Sequence, residues 1–368
     1  MTLNLESLKP TSLSPIQTHT TLNKMKAIVE YVWLDAVNWP RSKVRILNDV
    51  SINSLGQPVF PDWNFDGSST GQMEDKQNSE VTLKPCCITF HPLMKDIPKD
   101  YTVYIALCEC YSSNGTPSST NTRRRAVEIF EQCKEHRLWF GLEQEYVMIN
   151  ESNGKLMGWP CTGLPEKQGK YYCGNGSDRA VGRMLVDEHL SDCLTAGIKI
   201  CGTNAEVLPG QWEFQIGICE GIEAADHLHL ARFLLIRCAE KFGIRISFEP
   251  KPVPEGDWNG SGCHTNFSTI ETRTSPGGKD EILRVVDKLS KVHSEHLKVY
   301  GDNSKRLTGK HETSSVDTFN WGIGDRSASI RIPTSVQKDL CGYIEDRRPA
   351  SDCDPYLVTS IIAKTVCL

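Results

Sequence analysis

The run Phe140-Gly141-Leu142-Glu143-Gln144-Glu145-Tyr146-Val147 has the period of a β-strand, which puts Glu143 and Glu145 on one face, about 7 Å apart along the chain. An isolated pair of this kind is ordinarily a solvated strand face, because surface acids are common. Neighbouring segments carry more of the same chemistry. Asn204-Ala205-Glu206-Val207 adds an acid, and in Gln211-Trp212-Glu213-Phe214-Gln215-Ile216 the apolar Trp212, Phe214 and Ile216 alternate with Gln211, Glu213 and Gln215. Glu213 therefore belongs to the polar face of a strand whose other face is buried. In Cys263-His264-Thr265-Asn266-Phe267-Ser268 the same alternation sets His264, Asn266 and Ser268 opposite Cys263, Thr265 and Phe267. A lone histidine so placed is more often structural than ligating. Further on, Ile330-Arg331-Ile332 fixes an arginine between apolar neighbours, with Arg306, Arg326, Arg347 and Arg348 nearby in sequence. Their planar forks suit carboxylate or phosphate, and ordinary surface salt bridges are the alternative.

Around these strands the pattern predicts helices over Arg124–Glu135, Asp178–Ala196, Glu223–Phe242 and Lys279–Tyr300, each followed by a strand-like run. Asp178 reads as an N-cap, and Gly197, Gly243 and Gly301 as terminal glycines. The earlier part is short and β-rich, with runs at Ala27–Trp33, Lys43–Leu47, Val81–Lys84 and Val103–Cys110. Between the two lies Ser112–Thr122, dense in Ser, Thr, Asn, Gly and Pro, the composition of a connector. The organisation expected is a polar arm over residues 1–25, a small sheet domain over 26–112 and a large mixed domain over 113–368.

Composition narrows the function classes. The 368 residues are 39% hydrophobic and 24% charged, a globular balance that excludes intrinsic disorder as the main state. Forty-one Lys plus Arg against 46 Asp plus Glu leave a formal charge of −5, so no general basic field exists to hold nucleic acid or an anionic membrane. No apolar run approaches the ~18–20 residues of a membrane-spanning helix. The first 24 residues hold eight Ser or Thr and no Arg, with neither an apolar secretion core nor an Arg-rich transit face. The 15 cysteines are irregularly spaced and form no C-x-x-C, which points to a reducing cytosol rather than to a disulfide framework or zinc ribbon.

Taken in order, eight segments resemble one family, glutamine synthetase of the eukaryotic type: Trp63–Thr70, Trp139–Tyr146, Gln168–Gly174, Gly202–Gly217, Lys251–Thr269, Arg306–Thr313, Arg326–Pro333 and Gly342–Pro355. The resemblance implies an α+β fold, with a small β-grasp-like N-terminal domain and a large catalytic domain whose curved antiparallel sheet is flanked by helices. It implies that Glu143, Glu145, Glu206, Glu213, His264 and Glu345 bind metal, Mg²⁺ or Mn²⁺, since five carboxylates and one imidazole suit hard cations. Arg326, Arg331 and Arg347 are then assigned to phosphate groups and Arg306 to the substrate carboxylates. Trp139, Ser268 and Tyr343 resemble nucleotide-pocket residues. Asp66, with Ser69 beside it, takes the ammonium role, and Glu312, in a flap, closes the site.

The implied reaction joins glutamate and ammonia at the expense of ATP through γ-glutamyl phosphate. The implied assembly is a homo-oligomer, a decamer of two pentameric rings with active sites between subunits, in the cytoplasm and without a nucleic-acid or membrane partner. One departure stands beside a phosphate arginine: Gly324-Asp325-Arg326 occupies the place where the family reads Ala-Asn-Arg. The alternative is a catalytically silent assembly or interaction protein on the same fold; loss of ligand positions would favour it, and all six are filled.

Overall fold

A computed structural model of the chain describes residues 25–74, 78–160, 162, 164–254, 256–274 and 276–368. The polar arm expected over residues 1–25 lies, Met25 apart, outside the described residues.

The first part is a six-stranded sheet built from β1 (Met25–Leu34), β2 (Pro40–Ile52), β3 (Pro58–Val59), β4 (Trp63–Asp66), β5 (Glu80–Phe90) and β6 (Tyr101–Tyr111), in the order β3-β2-β1-β6-β5-β4. Its central pair β1/β6 is parallel, and the other pairs are antiparallel. Alternation divides these strands between two cores. Ala27, Val29, Tyr31 and Trp33 of β1 join Tyr104, Ala106, Cys108 and Cys110 of β6 on one face. Val32, Ile105 and Leu107 point the other way, into the large core shared with the rest of the chain. No α-helix occurs among the described residues of this sheet's own segment. Helices from later in the chain cover that second face instead.

Those later elements are α1 (Thr122–Gln132), β7 (Trp139–Asn150), α2 (Arg183–Ala196), β8 (Ile200–Ala205), β9 (Gln211–Glu220), α3 (Glu223–Glu240), β10 (Ile244–Ser247), β11 (Cys263–Ser268), α4 (Ile270–Arg273), α5 (Gly278–Lys291), α6 (His293–Leu297), β12 (Trp321–Ile323), β13 (Ile330–Ile332), α7 (Ser335–Asp339), β14 (Ile344–Asp346) and α8 (Pro355–Cys367). Their strands form an eight-stranded sheet in the order β12-β13-β14-β11-β7-β9-β8, with β10 also paired to β7. It is antiparallel except for the β12/β13 pair, which is parallel. The fold is α+β, with sheets flanked by helices.

Local sequence explains most boundaries. In α5 the buried Ile282, Val285, Val286 and Leu289 recur at helical spacing and form one apolar stripe. Asn121 caps α1 by accepting from Arg124 N, and Asp354 caps α8 ahead of Pro355 at its first turn. Gly197, Gly243 and Gly301 all take positive φ, as terminal glycines do. Two expectations need correcting. Asp178 caps nothing: its carboxylate lies by Lys170 and Arg179, and α2 begins only after Gly182. Gly182 is held at φ 84, and a Cβ there would meet Met148 Sδ at 2.2 Å. The helix expected over Lys279–Tyr300 is broken at Val292, whose φ of −123 separates α5 from α6.

Candidate active site

β7 is the centre of the second sheet, and the register of its neighbours gathers the acids. Glu143 stands opposite His264 on β11, while Glu145 stands opposite Glu213 on β9. Asn204 of β8 also pairs with Glu213, and Glu206 follows one residue after that strand ends. On the other flank Asn266 of β11 faces Glu345 of β14, which in turn faces Arg331 of β13. These side chains share one face because each strand alternates: Trp212, Phe214 and Ile216 enter the core while Glu213 and Gln215 face away from it.

Asn266 apart, these polar side chains line a cavity of about 630 Å³. The six candidate ligands fall into two sets, Glu143, His264 and Glu345, and Glu145, Glu206 and Glu213, each with potential ligand atoms within 4.8 Å of one another. Burial pushes the second set up, Glu145 to about 7, Glu206 to about 8 and Glu213 to about 9, and mutual repulsion among the acids adds to it. Burial and the nearby Arg347 hold His264 well below the usual imidazole range. Acids that cannot ionise together unaided, clustered with a neutral imidazole, fit a hard divalent cation.

The arginines are fixed with similar economy. Glu345 accepts from Arg331 Nη1 at 2.5 Å and from Arg347 Nη1 at 2.6 Å. Arg347 also donates through Nε to the Arg326 carbonyl and through Nη2 to the Glu312 carbonyl, at 3.0 and 3.2 Å. It thus ties two cavity-lining segments to one strand. Arg306 is buried, with Nη1 donating to Asn303 Oδ1 and the Arg348 carbonyl, and Nη2 reaching the Arg347 carbonyl and His264 Nε2. Arg331 keeps a buried Nε with no partner among the described residues, and Arg326 lines the cavity from an exposed position. Glu312 reaches the cavity from a loop where His311 and Glu312 both take positive φ, 55 and 59.

Other residues named from the sequence lie elsewhere. Asp66 and Ser69 are exposed at the end of β4 and in the turn after it, outside the cavity lining, and Asp66 Oδ1 caps that turn by accepting from Ser68 N. Trp139, at the start of β7, and Ser268, at the end of β11, face each other. Arg273 lies 3.8 Å over the Trp139 ring and donates to Ser268 Oγ at 3.0 Å. Tyr343 is exposed just before β14. Sequence reasoning missed Arg273, which sits in a four-residue helix, and Asn259, held in a loop by Gln168 and lining the cavity. Gln215, set by the alternation on the polar face of β9 but given no role, lines the cavity as well.

The family model described as glutamine synthetase, catalytic domain, matches residues 119–367. The glutamine synthetase of Kluyveromyces lactis is 49% identical over 356 residues, covering 96% of this chain and 92% of that protein. That of Saccharomyces cerevisiae is 49% identical over 343 residues, covering 93% and 90%. A cryo-electron microscopy structure of Plasmodium falciparum glutamine synthetase matches with a TM-score of 0.73 at 18% identity, covering 95% of this chain and 73% of that one, and so speaks for the fold. With nearly half of its residues identical to those relatives over most of both lengths, and with this fold, the chain belongs to the glutamine synthetase family.

Proposed function

We infer that the protein catalyses the ATP-dependent amidation of glutamate by ammonia to glutamine, through γ-glutamyl phosphate. Beyond family membership, the observation that carries this reading is the convergence of six carboxylates, two imidazoles and four arginines on one cavity, five of the carboxylates and one imidazole being the candidate metal ligands. The reaction must bring a carboxylate against a polyanionic triphosphate, so opposing positive charge is its first requirement. Glu143, His264 and Glu345 would hold one divalent cation, and Glu145, Glu206 and Glu213 another; either Mg²⁺ or Mn²⁺ suits the donor set. Such ions supply the charge neutralisation that phosphoryl transfer needs.

This chain's own residues do the positioning. Arg326 and Arg331 face the cavity with donors to spare and are assigned to phosphate oxygens, together with Arg347. Arg306, assigned to the substrate carboxylates, would meet them by exchanging one of its present bonds, and in the meantime it holds the backbone of Arg347 and Arg348 in place. Glu312, whose loop is anchored through its carbonyl to Arg347, would cover the cavity and keep water from the acyl phosphate. Trp139, Ser268 and Tyr343 would border the nucleotide. Asp66, with Ser69, would take the proton from ammonium; because both lie outside the cavity of their own chain, we assign them to the cavity of a neighbouring subunit. That requires a homo-oligomer, for which two stacked pentameric rings are the proposed form, and the proposed location is the cytoplasm. Residues 26–112 and 113–368 are proposed as its two domains, with residues 1–25 as an arm.

The test is formation of γ-glutamyl hydroxamate from glutamate, ATP and hydroxylamine, with and without divalent metal. Metal-dependent product is expected. Product formed equally well in chelator would remove the metal assignment, and no product under any condition would leave a silent member of the family.

A further inference from the structure

On the side of the second sheet away from the cavity, α2 and α3 pack together and bring Glu188, Asp192 and Cys238 into one cluster. Glu188 and Asp192 are one turn apart on α2 and share a face. Cys238 meets them from α3, and one potential ligand atom from each of the three lies within 4.8 Å of the others. Asp192 is 6% exposed, and its Oδ2 is buried with no hydrogen-bond partner among the described residues. An ionised carboxylate oxygen in that condition asks for a cation or a donor. Burial accordingly raises the Asp192 carboxyl.

We propose that Glu188, Asp192 and Cys238 form a second kind of metal site, outside the catalytic cavity, for a borderline-soft divalent cation of the zinc class. Two carboxylates and a sulfur from neighbouring helices are a zinc donor set, whereas the two ligand sets of the cavity offer carboxylate oxygen and one imidazole and select harder ions. Glu188 is half-buried, so water could reach a fourth position from its side. Three anionic ligands exceed the charge of the ion by one. Lys241, whose Nζ lies 2.6 Å from Glu188 Oε1, supplies the balance, and Lys95 adds a positive neighbour. His91 is not a ligand, since Nε2 engages Glu30 Oε2 at 2.6 Å and Nδ1 accepts from Leu93 and Met94. On binding, the Cys238 S–H bond breaks, a sulfur–metal bond forms and the proton leaves to solvent. The ion would tie α2 to α3 where the pair covers the first sheet, so its effect is on stability and not on turnover.

The test uses the full chain in excess Mg²⁺, added to compete for the catalytic cavity on the reading proposed above, and titrates zinc against a chromophoric chelator. One further zinc equivalent per chain and a raised melting temperature are expected. Cobalt(II) in place of zinc should show a sulfur-to-cobalt charge-transfer band, lost in Cys238→Ser and kept in Cys173→Ser, whose thiol is exposed elsewhere. Asp192→Asn and Glu188→Gln should keep the fold and weaken zinc by at least about tenfold. No extra zinc equivalent, or a cobalt band that survives Cys238→Ser, overturns the proposal. Should Cys238→Ser fail to fold, unchanged zinc affinity in both carboxylate variants overturns it as well.

Discussion

Glu145 and Glu213 stand directly opposite each other on adjacent antiparallel strands, a pairing of like charges that sheets ordinarily avoid. Its cost is borne within the fold: both acids are buried, and their pKa values rise to about 7 and about 9.

That relationship sets a pH dependence. Between the ordinary glutamate value of 4.5 and these raised values, the metal-free folded chain binds more protons than the unfolded chain. These three acids therefore contribute stability that is fully present below the ordinary glutamate value, where they are neutral in both states, and that is lost as pH rises through their raised values. In chelator the melting temperature should drop from about pH 7 to about pH 9, the range in which the buried histidines, held below the usual imidazole range, are neutral in both states and these acids set the slope. Added Mg²⁺ or Mn²⁺ should flatten the slope, binding more tightly as pH rises. A melting temperature in chelator that is independent of pH would show that the acids are neutralised by something else.

Arg306→Ala should cost about 3–5 kcal/mol, the usual penalty for breaking a buried charged network. It leaves the carbonyl of Arg347 and the Nε2 of His264 without their donor, and the Arg348 carbonyl with Asn303 Nδ2 alone. Turnover should fall in parallel, because Arg347 loses its backbone support. Thermal melting beside the hydroxamate assay decides the matter: normal melting with lost turnover would move Arg306 from a supporting role to direct substrate contact alone.

Asp325→Asn should leave activity unchanged or raise it, with a stability change within about 0.5 kcal/mol. Asp325 Oδ1 accepts from Ser327 N at 2.8 Å and from Ser327 Oγ at 2.7 Å, and an amide oxygen can accept both. What changes is the charge beside Arg326 and Arg347. A large loss of ATP-dependent turnover would give the carboxylate a positive role of its own.

Asp66→Ala should separate the two chemical steps. Loss of one general base typically lowers rate ~10²–10⁴-fold, and hydroxylamine, largely neutral near pH 7, should escape most of that loss. Subunit mixing tests the geometry: Asp66→Ala chains combined with Glu345→Ala chains should regain activity at interfaces that hold both intact halves. No recovery in verified hybrid assemblies would place both residues in a single chain's site, against their separation in this structure.

The parts of the fold that were legible from sequence are those with a strong local period. β7, β9 and β11 announced themselves through alternation of acids and amides with apolar residues, and α5 through its stripe at Ile282, Val285, Val286 and Leu289. β12 spans three residues and leaves no period to read. The start of α2 was misplaced because Asp178 has cap chemistry, while the contact of Gly182 with Met148 is made across the fold. Of the site, the acids and arginines could be named, but not that Glu143 would face His264 while Glu145 faced Glu213. Register is a relation between strands, and no single strand carries it. Arg273 and Asn259 depend on loops and on a helix of one turn, where position comes from tertiary hydrogen bonds.

The sharing of one core by both sheets bears on how the chain unfolds. Fourteen of the 18 residues of α3 are buried. Through Arg237 the same helix reaches Glu30 on β1, and through Arg232 it reaches Gln144 on β7. A fragment ending near residue 112 would turn Val32, Ile105 and Leu107 toward water and strip Glu30 of its arginine. The sequence divides there, but cooperativity does not. Amide exchange should find α3 among the last protons to leave, opening only when both sheets open with it.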